Sequence, residues 1–248
     1  GYIMVSSDDP DYNATITRMT GTISGSYLIL RNITANGGAT FNAINSVDLG
    51  RNYNWNFTSP TGSTKYWVGS TGLWSDISHW SYSSGGPGGA CVPSPLDTVI
   101  FDSNSFSSPG DSVVVDLSIA TCHTMIWTGN TSNAVLTGED NVMRIWGSLF
   151  FNTLMENLFL GEVYFEAVQT GMTIDPQGRA FLNDIIFQGK GGGWDIVDSI
   201  DVVGNILFHY GNLLADHISL TGYSFTALKN RQRSLDISFS DIHMKGHS

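Results

Sequence analysis

Short alternations of apolar and polar residues, each closed by Gly, Asn, Asp or Ser, recur along the chain. They are SYLILRNIT (26–34), DTVIFD (97–102), DSVVVDLSI (111–119), TMIWTG (124–129), NDIIFQG (183–189), VVGNILFHYG (202–211), HISLTGYSF (217–225) and LDISFSDIHMKG (235–246). Alternation with period two sends successive side chains to opposite faces of a strand, so these runs predict short, half-buried strands. No segment combines a 3.6-residue period with helix caps. SLFFNTLMENLFLGEVYFEAV (148–168) comes nearest, but its β-branched and aromatic end argues for strand. The chain reads as all-β.

Two all-β architectures share this cadence, a sandwich and a stack of parallel coils. From residue 112 onward the strands come at short spacings and turn at single polar residues. The two-residue Asn-Gly signal of tight antiparallel hairpins is missing from the second half. That favours a right-handed parallel β-helix or a closely related β-solenoid. Rungs of about 20 to 25 residues stacked at about 4.8 Å predict a rod near 40 Å long for the larger part of the chain.

An internal comparison sets the domain organisation. YLILRNITANGGAT (27–40) and LDISFSDIHMKGHS (235–248) share an order of strand, Asn or Asp, Ile and then Gly, with Asn32-Ile33 set against Asp241-Ile242 and Gly37 or Gly38 against Gly246. On that match, residues 1–58 are the C-terminal part of one repeat. Residues 59–65, with a Pro, a Gly and small polar residues, form a linker between aromatic anchors. Residues 66–248 form most of a second repeat, comprising an aromatic cap and first strands over 66–129 and rungs over 130–248. The chain starts at Gly1 without a basic and apolar leader, and reads as a piece of something longer.

Composition agrees with this reading and removes some function classes. Charged residues make up only 13% of the 248, against 12% aromatic residues and 28 glycines, which is unlike a helical protein. The net charge of -11 comes from 11 Lys+Arg against 22 Asp+Glu, spread without blocks, so nucleic acid is not an expected partner. No apolar run reaches the roughly 18 residues of a membrane span.

Three groups of residues carry candidate chemistry. Trp67, Trp74 and Trp80 lie within the stretch YWVGSTGLWSDISHWSYSSGGPGG (66–89). Exposed on one face, their rings would stack on sugars; buried, they would close an open end of the coil stack. Asp8, Asp9 and Asp11 in SSDDPDYN offer the oxygen-rich loop that Ca²⁺ takes, although the EF-hand and glycine-rich nonapeptide signatures are absent. Otherwise no cofactor is expected. Cys91 and Cys122 lack zinc-site spacing; they form either a bridge closing a loop of about 30 residues or two free thiols.

For catalysis, Asp195, Asp198 and Asp201 are the carboxylate candidates and Lys229, Arg231 and Arg233 the one basic cluster. Residues three apart on a strand point to opposite faces, so turn-capping aspartates and a solvated basic loop are the competing readings. No catalytic residue is assigned.

The segments GGATFNAINSVDLGRNYNWNF (37–57), YWVGSTGLWSDISHWSYSSGGPGGACVPSPLDTVIFDSNSF (66–106) and TCHTMIWTG (121–129) resemble a repeat module of very large secreted proteins of Bacteroidota, often exported by the type IX system. Similar modules occur in phage tail-fibre-like proteins. The resemblance implies a secreted, non-enzymatic structural or adhesive segment of a cell-surface filament. Its partners would be adjacent repeats of the same chain, surface glycans or other cell-surface proteins. It also implies that Asp97-Thr98-Val99, Asp111-Ser112-Val113 and Asp198-Ser199-Ile200 match a bacterial O-glycosylation pattern, while the sequons at Asn13, Asn32, Asn56 and Asn130 would carry little meaning in a bacterium. The alternatives are a carbohydrate-binding or tail-fibre receptor-binding module and, behind that, a polysaccharide-degrading β-helix enzyme.

Overall fold

A computed structural model describes residues 2–246 apart from Pro10, Asn130, Ser132 and 228–230. Strand accounts for 46% of the chain, and the one helical element among the described residues is a single 3-10 turn at Ile77–His79, so the protein is all-β. The strands form a parallel β-solenoid of about 11 turns. The chain divides into two compact units, 1–62 and 63–248. Thr64 and Lys65, expected in a linker, already belong to the first strand of the second unit.

The first unit has three faces. One joins Ile3–Ser6, Leu28–Arg31 and Val47–Asp48; another joins Ala14–Thr17 to Ile33–Asn36; the third joins Thr22–Ser26, Thr40–Ile44 and Asn56–Thr58. Its interior holds Ile29, Leu30, Ile33, Ala35, Phe41, Ala43 and Val47. Two corners are single residues in the left-handed region, Tyr27 and Asn32, a conformation Asn tolerates better than most. Asn32, with φ 57°, separates Leu28–Arg31 from Ile33–Asn36. One turn on, the Asn52 side chain accepts from the Ile33 amide at 3.0 Å and donates to the Leu30 carbonyl at 2.8 Å, satisfying both sides of that corner.

Asp241, matched to Asn32 on sequence, holds a different place. It opens the strand Asp241–Met244, and four residues separate that strand from Arg233–Asp236. The two chain ends share a strand, corner and strand order but not the geometry of the corner.

In the second unit the largest sheet has nine strands. Eight are parallel, one per turn, and the ninth is antiparallel at the edge. Eight turns at about 4.8 Å give a stack roughly 38 Å long. Coil length varies: Thr98 pairs with Thr124, 26 residues on, whereas Gly193 pairs with Asn212, 19 residues on. Inward positions line up in columns through the turns. Cys122, Ile145, Phe165, Phe187 and Phe208 occupy one such column, with Phe165 and Phe187 stacked at 5.1 Å between centroids. The segment 148–168, nearest to a helix on sequence, forms three strands: Leu149–Phe150, Met155–Phe159 and Glu162–Phe165.

Candidate functional site

The aromatic segment forms the cap. Strand Thr64–Trp67 stands at the end of the large sheet, where unpaired backbone invites association. After the Ile77–His79 turn, where the Ser78 N–H donates to the Asp76 carboxylate at 2.8 Å, the chain doubles back. Trp80 pairs with Trp67 and Ser81 with Tyr66, in the only antiparallel pairing among the described residues.

Trp67, Trp74 and Trp80 are each 0% exposed, so a sugar-stacking platform at these three positions is ruled out by their burial. The rings meet edge to face, Trp67 on Trp80 at 5.1 Å and Trp74 on Trp80 at 4.9 Å. Phe101 joins them and stacks on Trp127 at 4.3 Å. The Trp80 indole N–H donates to the Trp74 carbonyl at 2.8 Å and that of Trp67 to the Ser70 carbonyl at 2.7 Å.

Beside the cap lies a buried ion pair that the sequence did not disclose. Lys65 takes an inward position, in register with Val99. Its Nζ lies 3.0 Å from Asp97 Oδ2 and donates to the Val92 carbonyl at 3.2 Å. The Ser63 and Ser94 hydroxyls donate to the same carboxylate, both at 2.6 Å, as do their backbone amides at 2.8 Å. Burial raises the Asp97 pKa, but hydrogen bonds from Ser63 and Ser94 more than offset this and hold it at about 2. The network ties the start of the unit to the end of the Gly/Ser/Pro loop. Thr98, in the glycosylation-like triplet, sits in mid-sheet between Thr64 and Thr124.

The Cys91–Cys122 bridge does not form. Cys91 is exposed on that loop, whereas Cys122 points into the core column with Ile145. Burial, and secondarily the Asp97 charge, push the Cys122 thiol far above its ordinary range.

The acidic loop at the start of the chain is organised by its own backbone: the Asp11 amide donates to Asp9 Oδ1 at 2.8 Å and the Asp9 amide to Ser7 Oγ at 3.3 Å. Among the described residues no three His, Cys, Asp or Glu side chains are grouped to hold a metal, so the Ca²⁺ reading of Asp8, Asp9 and Asp11 has no cluster behind it. Asp198 caps a turn, accepting from the Gly178 amide at 2.7 Å. Asp195 and Asp201 lie on different sheets, and Asp201 faces Lys245 at 3.8 Å.

Two features gather near the C-terminal coils. Corners from three successive turns stack there, and Lys190, Arg231 and Arg233 come together around His209 and Tyr210. Lys229 and Asn130 lie outside the described residues. Next to this corner an open groove of about 360 Å³ runs over the strands, lined by Thr170, Gly193, Asp195, Asn212, Ser234 and Asp236 among others.

No family model, no curated protein and no solved structure matches this chain. Among the described residues no helix is long and apolar enough to cross a membrane.

Proposed function

We propose that this chain is a structural segment of a large extracellular surface protein, a spacer of the kind that the Bacteroidota modules resembling residues 37–129 would provide. The observation that supports it best is the second unit's construction. One continuous apolar column system runs through eight turns, and an antiparallel aromatic hairpin covers the edge strand of its large sheet. Stacked coils resist bending, and each turn tolerates loop variation at its corners without disturbing its neighbours. The interior is spent on packing, and the polar groups buried beside the cap hold a loop in place.

Immunolabelling of intact cells of the source organism tests this reading, with cell lysates as the control. Signal on unpermeabilised cells is expected. Signal confined to lysed cells would overturn it, as would turnover on a polysaccharide panel that one Asp substitution abolishes.

A further inference from the structure

A protein with twice as many acidic as basic residues carries one corner where bases converge. The Gly189–Gly193 corner, the His209–Asn212 corner and the strand beginning at Arg233 lie on top of one another. The Asn212 amide donates to the Gly192 carbonyl at 2.9 Å, and Gly211 pairs with Arg233. Gly211, with φ +96°, lets the turns close up, because a Cβ there would sit 2.9 Å from the Gly192 carbonyl oxygen and 2.7 Å from the Trp194 ring. Stacking at about 4.8 Å per turn then brings together side chains about twenty residues apart in sequence.

On the buried Tyr210 ring lie two cations, the Arg231 guanidinium at 4.9 Å and the Lys190 ammonium at 5.9 Å from its centroid. Arg233 and His209 complete the corner. Arg233 Nη1 and His209 Nδ1 are buried atoms without a hydrogen-bond partner among the described residues. Burial lowers the His209 pKa, and Arg231 and Arg233 lower it further; both charges acting on this imidazole are positive. An anion bound beside Arg231 and Arg233 would offset the positive charge acting on that imidazole. Where the corner ends the groove begins: Arg233 leads into Ser234, and Gly211 into Asn212. Its lining offers amide and hydroxyl groups, with the carboxylates of Asp195 and Asp236 at the far side, Asp236 about 10 Å along the strand from Arg233.

We propose that this corner and groove bind an acidic glycan, with a sulfate or carboxylate group held by Lys190, Arg231 and Arg233 and neighbouring sugar hydroxyls held by Asn212 and Ser234. The groove presents no exposed aromatic ring on which bases would stack, Trp194 in its lining being buried. This assignment goes beyond the spacer role and does not depend on it.

Calorimetric titration of the intact protein tests it with five probes: an oligogalacturonate, a sulfated dextran oligomer, neutral dextran of equal length, a single-stranded DNA of equal charge, and inorganic sulfate. One or both acidic glycans are expected to bind, the tighter identifying the oxyanion, while neutral dextran and DNA do not. Lys190→Gln, at an exposed position, and Arg231→Gln, at a half-buried one, are expected to weaken binding about tenfold each while the protein still shows a cooperative melt. Ser234→Ala is expected to weaken glycan binding while leaving inorganic sulfate binding unchanged. The proposal is overturned by failure of both acidic glycans to bind, by equal binding of DNA, or by affinity unchanged in Lys190→Gln and Arg231→Gln.

Discussion

Trp80 lies antiparallel to Trp67 on the edge of an otherwise parallel sheet, the two rings edge to face at 5.1 Å. The pairing satisfies edge backbone and covers the core in a single step, which is why these side chains have no exposed surface. Trp80→Ala is expected to destabilise the second unit by about 3 to 5 kcal/mol in chemical denaturation. Trp80→Phe, which keeps most of the ring but drops the N–H donated to Trp74, should cost less. A denaturation curve unchanged in the alanine variant would show that Trp80 does not close the core.

The Lys65 and Asp97 side chains are 5% and 7% exposed, so each compensates a charge the solvent cannot. Asp97→Asn leaves Lys65 buried and unpaired and is expected to cost about 3 to 5 kcal/mol. The double variant Lys65→Met, Asp97→Asn should recover a large part of that loss. A double-mutant cycle with no coupling would show that the pair is not what fastens the loop.

The same carboxylate gives acid sensitivity a definite sign. Its folded pKa of about 2 lies below the ordinary 3.8, so its contribution is complete above about pH 4 and fades as pH falls toward 2. The shift corresponds to about 2 kcal/mol. Stability measured against pH should show this acid loss in the parent protein, and a smaller one in Asp97→Asn.

Cys91 and Cys122 should differ sharply toward thiol reagents. Iodoacetamide at neutral pH is expected to add one label to the native chain, at Cys91, and a second only after unfolding, because the Cys122 thiol is buried and its thiolate strongly disfavoured. Intact mass spectrometry reads the count. A native mass two hydrogens short with no labelling would restore the disulfide.

In the first unit Gly37 has φ +99°, and a Cβ there would lie 2.1 Å from the Arg18 carbonyl oxygen. Gly37→Ala therefore combines backbone strain with a clash that no side-chain movement relieves. A loss of roughly 2 kcal/mol or more is expected for this unit in thermal or chemical denaturation.

The solenoid was legible because its physics is local. Alternation in DTVIFD, TMIWTG and LDISFSDIHMKG marks the strands, single polar residues mark corners such as Asn32, and absent hairpin signals imply parallel coils. The cap was half legible: three tryptophans ahead of a Gly/Ser/Pro run announced an unusual end, but the spacings of seven and six could not say whether the rings face water. The basic residues near 231 read as a solvated loop because Lys190 and Tyr210 stand too far away in sequence to suggest a common corner.

The sequence by itself determined the all-β class, the parallel coils and the approximate rung length, since each depends on residues within one strand and its turn. Only the tertiary structure decided which polar groups meet: Lys65 with Asp97 across 32 residues, and Lys190, Tyr210 and Arg231 across three turns. Coils differ in length, from 14 residues between Asn42 and Asn56 to 34 between Thr64 and Thr98, so vertical register cannot be counted along the chain. It is fixed by how the inward columns pack, and it then carries the outward and corner residues with it.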